Sequence, residues 1–491
     1  MNKENPQLAS EYEVRLQKKE QLRQMGIDPY SNKRHKKYWA KHIIEDFEKL
    51  SSEETEVEFI GRIISKRGHG KSSFIHLQDN SGKIQCYIKK DVLGNSYELL
   101  KHIDVGDFIF IQGPVFKTRT GEITIVVNVL EIITKALRGL PEKYHGIQDI
   151  EIKYRQRYLD LIMDRDAFNR FCLRSEVVRL MRNTLDGMGF MEVETPILQP
   201  LYGGAAARPF ITHHNTLDRD FYLRIAPELY LKRLIVGGFE KIYEINKNFR
   251  NEGMDIKHNP EFTMMELYWA YTNYHDIMDL VEELLSLVIN AVMGEKELSY
   301  QGNQININHP WKRIPLFEAI NQATGYNLEE ISGVKELKQI AHKLECRVED
   351  YMGRGKIIDQ ILKEKVIPNL QDPTFLYDYP LELSPLARQK SDNPNLVERF
   401  QVFIGGLEIG NAFSELNDPR EQANRFKAQL KYKKDGDEEA HAFDEDYIRC
   451  LEYGMPPSGG LGIGVDRFIM LLTDSTSIRD VILFPQMKPE S

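Results

Sequence analysis

The chain has 491 residues, 41% hydrophobic and 28% charged, with a formal net charge of −9. That length exceeds one ordinary core and predicts two or three domains, and the composition is that of a soluble globular protein. The longest nearly apolar run, Leu284–Met293, falls far short of the roughly 18 residues a bilayer crossing takes.

The opening stretch MNKENPQLASEYEV is polar and holds no apolar signal core, so a cytoplasmic location is expected. Residues 1–50 look helical and highly charged, interrupted at Asp28-Pro29-Tyr30-Ser31. They carry a net charge of +3, residues 51–136 are neutral, and the remainder carries −12. This asymmetry hints at a polyanion-facing N-terminal end, with the run KRHKK (Lys33–Lys37) inside it. From residue 51 to 137 the texture changes to five short β-rich runs: VEFIGRIIS, SFIHLQD, KIQCYIKK, DFIFIQGPVF and EITIVVNVL. Five strands over such a length suit a small β-barrel, of which the OB-fold is the common nucleic-acid-binding form.

Inside this region SKRGHGKSS (Ser65–Ser73) approaches a phosphate-binding P-loop, but Ser65 stands where the first glycine is needed. It is therefore read as a loop between strands. No strand–GxGxxG–helix unit occurs either. The four cysteines, Cys86, Cys172, Cys346 and Cys450, are widely spaced and form no CxxC pair, so reduced thiols are expected. His213 and His214 lack zinc-site spacing.

Residues 138–152 read as a linker. Residues 153–491 mix helices and strands without regular alternation, which predicts an α+β domain on an antiparallel sheet. An amphipathic helix is expected over Asn169–Met188, a hairpin over Lys241–Tyr271, a mainly helical insertion over about 330–370, and strands again over Val402–Leu416.

The hairpin is unusual. Tyr243, Ile245 and Phe249 share one strand parity; Glu244, Asn246, Asn248, Arg250 and Glu252 share the other. On the return strand Phe262, Met264, Glu266 and Tyr268 share a face. An arginine that can grip a phosphate or carboxylate, two acids and an aromatic face are thus gathered in one short unit.

This hairpin resembles motif 2 of the class II aminoacyl-tRNA synthetases. GFMEVETPIL (Gly189–Leu198) resembles motif 1, with Pro196 at the expected dimer interface, and GLGIGVDRFIMLL (Gly460–Leu472) resembles motif 3. RPFITHHN, LRIAPELYLKRL, HNPEFTMMELY and EIGNAFSELNDP are similar to segments of the bacterial lysyl enzymes of subclass IIb. The resemblance covers nearly the whole chain. It implies an N-terminal OB-fold anticodon-binding barrel, then a class II catalytic domain on an antiparallel sheet with flanking helices.

The resemblance also implies roles. Arg250 would hold the ATP α-phosphate and the amino-acid carboxylate, and Arg467 would reach the γ-phosphate; these are the expected catalytic groups. Glu252 and Asn259 would meet the adenine end, with His258 nearby and Phe262 stacked on the base. Glu228 would bind the α-ammonium of lysine, and Glu266, Tyr268 and Glu415 its ε-ammonium, with Asn411 and Phe413 lining the same pocket. A buried ammonium demands such pairing. Glu408 would bind ATP and its Mg2+, although strand parity puts it opposite Asn411 unless a bulge near Gly410 brings it round. The second family magnesium glutamate falls at Gln401, whose lost charge weakens a hard-cation site. Lys257 stands where bacterial relatives usually carry arginine, leaving a point charge in place of a fork. In the barrel Phe74, Gln85 and Glu122 align with anticodon-contacting positions, suited to stacking and edge recognition of unpaired bases.

The expectation is a homodimeric enzyme that makes lysyl-adenylate from ATP and L-lysine and passes lysine to the 3′ end of tRNA(Lys). The alternatives are an aspartyl- or asparaginyl-type synthetase, a paralogue lysylating a non-tRNA acceptor, and a regulator with a dead catalytic domain. An aspartate pocket calls for a cation where Glu266 and Glu415 supply anions.

Overall fold

The computed structural model describes residues 6–141, 149–294, 296–434 and 443–490. Two compact units divide it, Met1–Gly146 and Ile147–Ser491.

In the first unit, helices α1 (Pro6–Gln24), α2 (Ala40–Glu45) and α3 (Phe47–Ser52) precede seven strands of one sheet. These are β1 (Val57–His69), β2 (Ser72–Gln78), β3 (Lys83–Lys89), β4 (Phe108–Gly113), β5 (Val115–Lys117), β6 (Ile123–Val126) and β7 (Val129–Thr134). Two of the five expected strands are each split. DFIFIQGPVF breaks where Pro114 has no N–H for a ladder and Gly113 meets the neighbouring chain, its absent Cβ falling 1.7 Å from the Val126 carbonyl oxygen. EITIVVNVL breaks at Asn128, whose backbone N–H donates to Gln112 O at 2.8 Å. Inward residues Phe59, Ile75, Leu77, Cys86, Ile111 and Ile125 share one core, as a small barrel requires. SKRGHGKSS is not a loop throughout: Ser65–His69 ends β1, Gly70-Lys71 form the turn, and Ser72-Ser73 open β2. The basic run is bound to barrel acids: Arg34 to Glu131 at 2.5 Å, Lys37 to Glu58 at 2.6 Å, and Lys36 to Asp79. Three of its charges thus have partners within this unit.

Of the expected linker, residues 142–148 lie outside the described residues, and Ile150 already opens a helix capped by Asp149. The second unit is built on eight strands: β8 (Met191–Glu192), β9 (Lys241–Phe249), β10 (Glu261–Ala270), β11 (Lys312–Pro315), β12 (Thr374–Pro380), β13 (Leu396–Ile404), β14 (Leu407–Ser414) and β15 (Ser458–Gly464). Their order is β11-β12-β13-β14-β15-β10-β9-β8. The inner pairings are antiparallel, as expected, while the edge pairs β11·β12 and β9·β8 are parallel. Both parallel pairs join strands separated by long helix-containing crossovers, the connection parallel strands need. β13 and β14 turn on Gly405-Gly406, both at positive φ (60° and 69°), the geometry of a two-residue hairpin.

One sheet face carries Tyr243, Met265, Leu267, Val402 and Ile463, packed against helices α4 (Arg165–Gly187) and α6 (Tyr274–Met293). The apolar run Leu284–Met293 is the second half of α6, which Asn273 and Asp276 start with a reciprocal capping box. The helical segment after β11 builds a core of its own around Phe317, Leu337, Ile357 and Leu376. With one face covered, the other is left for chemistry.

Candidate active site

β9 and β10 pair with Glu244 opposite Glu266 and Asn248 opposite Phe262. The even-numbered residues of both strands therefore share the open face, as the sequence pattern predicts. That face borders a cavity of about 360 Å³. Arg250, Glu252, His258, Asn259, Phe262, Glu266 and Tyr268 line it from the hairpin, Glu228 from α5 (Glu228–Val236), Gln401 from β13, and Glu408, Asn411 and Phe413 from β14. Arg467 closes it from α7 (Val465–Leu472). Every residue singled out for this site lines the cavity except Glu415.

Local folding explains each placement. β13 and β14 pair Val402 with Gly410 but Phe403 with Glu408, so Ile409 is an extra residue. This bulge turns Glu408 onto the face of Asn411, one residue ahead of where the glycine suggested it. Asp466, at the start of α7, accepts from the Thr263 backbone N–H at 2.6 Å and pairs with Arg174 at 2.6 Å. It thereby ties α7, and with it Arg467, to the hairpin. Arg467 Nη2 lies 3.1 Å from His258 Nε2. Since a guanidinium only donates, that nitrogen accepts, and the Nδ1–H donates to Asp255 at 2.8 Å. Asn259 spends its amide locally, donating to Glu261 O at 2.5 Å and accepting from Gln486 N at 3.3 Å.

The charges are unequally satisfied. Glu244 and Glu266 are directly opposite, where like charges repel. Glu244 is compensated by Arg224 at 2.8 Å and by the Thr195 hydroxyl at 2.7 Å, which also locks motif 1 to motif 2. Glu266 makes no side-chain hydrogen bond or ion pair among the described residues. Burial, with Glu228 and Glu244 nearby, pushes its carboxyl up to about 8, against the pull of Arg250. Arg250 has its Cζ 5.0 Å from the Phe262 ring centroid, and its buried Nε has no hydrogen-bond partner. Burial draws its guanidinium below its ordinary value, with Glu252 and Glu266 opposing. One hairpin thus presents an unpaired carboxyl and an under-bonded cation to the same cavity.

Glu415 sits one layer deeper, fully buried and paired with Lys232, which also binds Glu228 Oε1 at 2.5 Å. The sequence reading missed Lys232. Its signal was available, because Glu228 and Lys232 are four apart on a helix. Arg399 was missed as well; it lines the cavity and donates to Asn411 Oδ1 at 2.8 Å. So were the wall residues 383–387, which only the fold brings across the sheet.

For magnesium the protein donor set is thin. Among the described residues no three His, Cys, Asp or Glu side chains cluster as a metal cage. Glu408 is a half-exposed carboxylate 3.8 Å from Arg467, and the Gln401 carbonyl already accepts from the Tyr379 hydroxyl at 2.6 Å. Such a set fits a Mg2+ only alongside substrate phosphate oxygens, the usual way this ion is held. His213, on an exposed hairpin, is instead paired with Asp220 at 2.9 Å.

In the barrel, Phe74 is not core. It stacks on Tyr87 on the outer face, centroids 4.6 Å apart and planes at 18°. Gln85 donates to Glu122 at 2.7 Å on that face, beside His76. The four cysteines are free.

Comparison with known proteins agrees with this geometry. Residues 149–488 match the family model of class II tRNA synthetases (D, K and N), and residues 57–133 match that of the OB-fold nucleic acid binding domain. A lysine–tRNA ligase of Carboxydothermus hydrogenoformans is 56% identical over 99% of both chains. One from Pelotomaculum thermopropionicum is 53% identical over 97% of this chain and 94% of its own, and one from Staphylococcus aureus is 48% identical over 97% and 98%. With a catalytic unit and a barrel each matched and full-length relatives near half identity, the chain belongs to the lysine–tRNA ligase family of class II aminoacyl-tRNA synthetases.

Proposed function

We propose that this chain activates L-lysine with ATP in the cavity between the hairpin and β14, and that the residues named above divide the work. The carboxylate of lysine attacks the α-phosphorus, and pyrophosphate leaves as the acyl–phosphate bond forms. Arg250 is fixed where negative charge gathers on the α-phosphate, so it stabilises that charge without reorganising. Phe262 offers the adenine a face, with Glu252, His258 and Asn259 around it, and Arg467 takes the γ-phosphate. Holding both reactants in one cavity supplies much of the rest. Glu228 takes the α-ammonium, and Glu266, Tyr268 and Glu415 take the ε-ammonium. Mg2+, bound with ATP beside Glu408 and Gln401, would add charge neutralisation on the phosphates.

The observation that carries this reading is the unpaired, buried Glu266 and the under-bonded Arg250 lining one cavity. An amino acid with a cationic side chain satisfies both; aspartate offers Arg250 its α-carboxylate but brings a second carboxylate, not a cation, to Glu266. Phe74, Gln85 and Glu122 on one barrel face support anticodon reading of tRNA(Lys), which favours a tRNA acceptor over another one. Exposed Met191, Ile197, Leu198, Ile211 and Leu217, in and near motif 1, support a homodimer. No helix among the described residues is long and apolar enough to cross a membrane, in keeping with a cytoplasmic enzyme. The test is ATP–pyrophosphate exchange with each of the twenty amino acids. Exchange with lysine alone is expected. Exchange with aspartate or asparagine overturns the pocket, and none at any magnesium concentration revives the regulator reading.

A further inference from the structure

The buried charge that the cavity does not account for is Lys232. Its side chain is wholly enclosed, on the inner side of α5, with the rings of Phe413 and Tyr268 5.2 and 6.0 Å away. It binds one oxygen of each of two acids, Oε1 of Glu228 and Oε2 of Glu415. The other oxygens are left over. Neither Glu415 oxygen makes a directed hydrogen bond; Lys232 holds Oε2 as an ion pair, while Oε1 has no partner and points at Gly460, where a Cβ would lie 2.0 Å from it. Gly460 and Tyr268 are cavity wall. Burial by itself opposes the charge on Lys232, but Glu228 and Glu415 outweigh it and hold the ammonium protonated above its ordinary value.

The geometry points to Lys232 as a positioning residue for lysine recognition: it ties the two ammonium-binding carboxylates together through one oxygen each and leaves the second oxygen of each for the substrate. This rests on the lysine-activating reading above. Without an internal cation, Glu228 and Glu415 are buried like charges beside Glu266. They then take up protons or turn away from one another, and either change spoils the pocket. An apolar residue at 232 gives the same packed volume without the clamp, so the effect belongs to charge and not to filling.

The experiment is lysine-dependent ATP–pyrophosphate exchange by Lys232→Met, with thermal melting as a folding control. The lysine KM is expected to rise at least 20-fold, with the ATP KM within threefold of the unaltered chain. A purely structural role moves both constants together. A folded K232M whose lysine KM stays within twofold overturns the proposal, as does an equal rise in both KM values. Combining Lys232→Met with Glu415→Gln is expected to raise the lysine KM less than the product of the single effects, because Lys232 acts through Glu415; full additivity overturns it. Should K232M not fold, the double variant removes the pair as a unit, and an unraised lysine KM there overturns the proposal. If the unaltered chain shows no lysine-dependent exchange, the activation reading itself fails, and this one with it.

Discussion

Glu266→Gln has opposite consequences for binding and for stability, and both follow from one observation. Glu266 is buried, opposite Glu244, without a partner, and titrates at about 8 against an ordinary 4.5. Losing the partner of a buried ammonium costs about 3–5 kcal/mol. At pH 7 the unaltered chain must first release a proton from Glu266 to bind lysine, which costs about 1.4 kcal/mol. The net loss in Glu266→Gln is therefore roughly 2–4 kcal/mol, a rise in lysine KM of about 30- to 1000-fold, with the ATP KM little changed. For the free chain the sign reverses. The folded carboxyl binds its proton more tightly than the unfolded one, so its contribution to stability is complete below about pH 4.5 and is lost as the pH rises toward about 8. The Gln variant lacks that loss, so it melts higher than the unaltered chain at pH 8.5 and alike at pH 5. Calorimetry of lysine binding at pH 7 in buffers of different ionisation enthalpy completes the set: the variant releases about one proton fewer than the unaltered chain. An unchanged lysine KM, or a variant less stable at pH 8.5, refutes the reasoning.

Three further outcomes are expected. Gly460→Ala places a Cβ 2.0 Å from Glu415 Oε1 and 2.6 Å from Tyr268 Cε1, so lysine-dependent exchange falls by at least tenfold while ATP still binds, measured by exchange and nucleotide titration. Phe74→Ala removes the outer partner of the Tyr87 stack and weakens tRNA binding by about 1–3 kcal/mol, leaving tRNA-independent exchange unaltered; a matching drop in exchange argues against a role confined to the anticodon. Gln401→Glu restores a charged oxygen beside Glu408 and lowers the Mg2+ concentration for half-maximal exchange; a superimposable magnesium titration removes the idea that Gln401 weakens the site.

Much of the site was legible in the chain because strand parity is a local property. Alternation put Glu266 and Tyr268 on the open face of β10 and carried Arg250 and Glu252, just past the end of β9, to the same side, and the motif spacing supplied Arg467 and Glu408. The barrel was legible from its β-branched runs; the break at Gly113-Pro114 was also signalled, since proline has no N–H for a ladder, but the one at Asn128 depends on the neighbouring strand. Local pattern could not say which carboxylate is spoken for. Glu244 and Glu266 have the same parity and the same type, yet Arg224 and Thr195 reach the first and no described side chain pairs with the second. The bulge was suggested by Gly410, but its place at Ile409 depends on how β13 and β14 pair.

By itself, then, the amino-acid order determined the elements, their apolar and polar faces, and the family to which the chain belongs, because periodicity and motif spacing are written along one strand or helix. The tertiary structure alone decided the ionic state of the pocket. Whether a buried acid is quenched, clamped or left open depends on side chains brought from elsewhere in the fold. Glu244, Glu415 and Glu266 are chemically almost identical groups; Arg224 beside the first, Lys232 beside the second and no paired cation among the described residues beside the third make them three different ones.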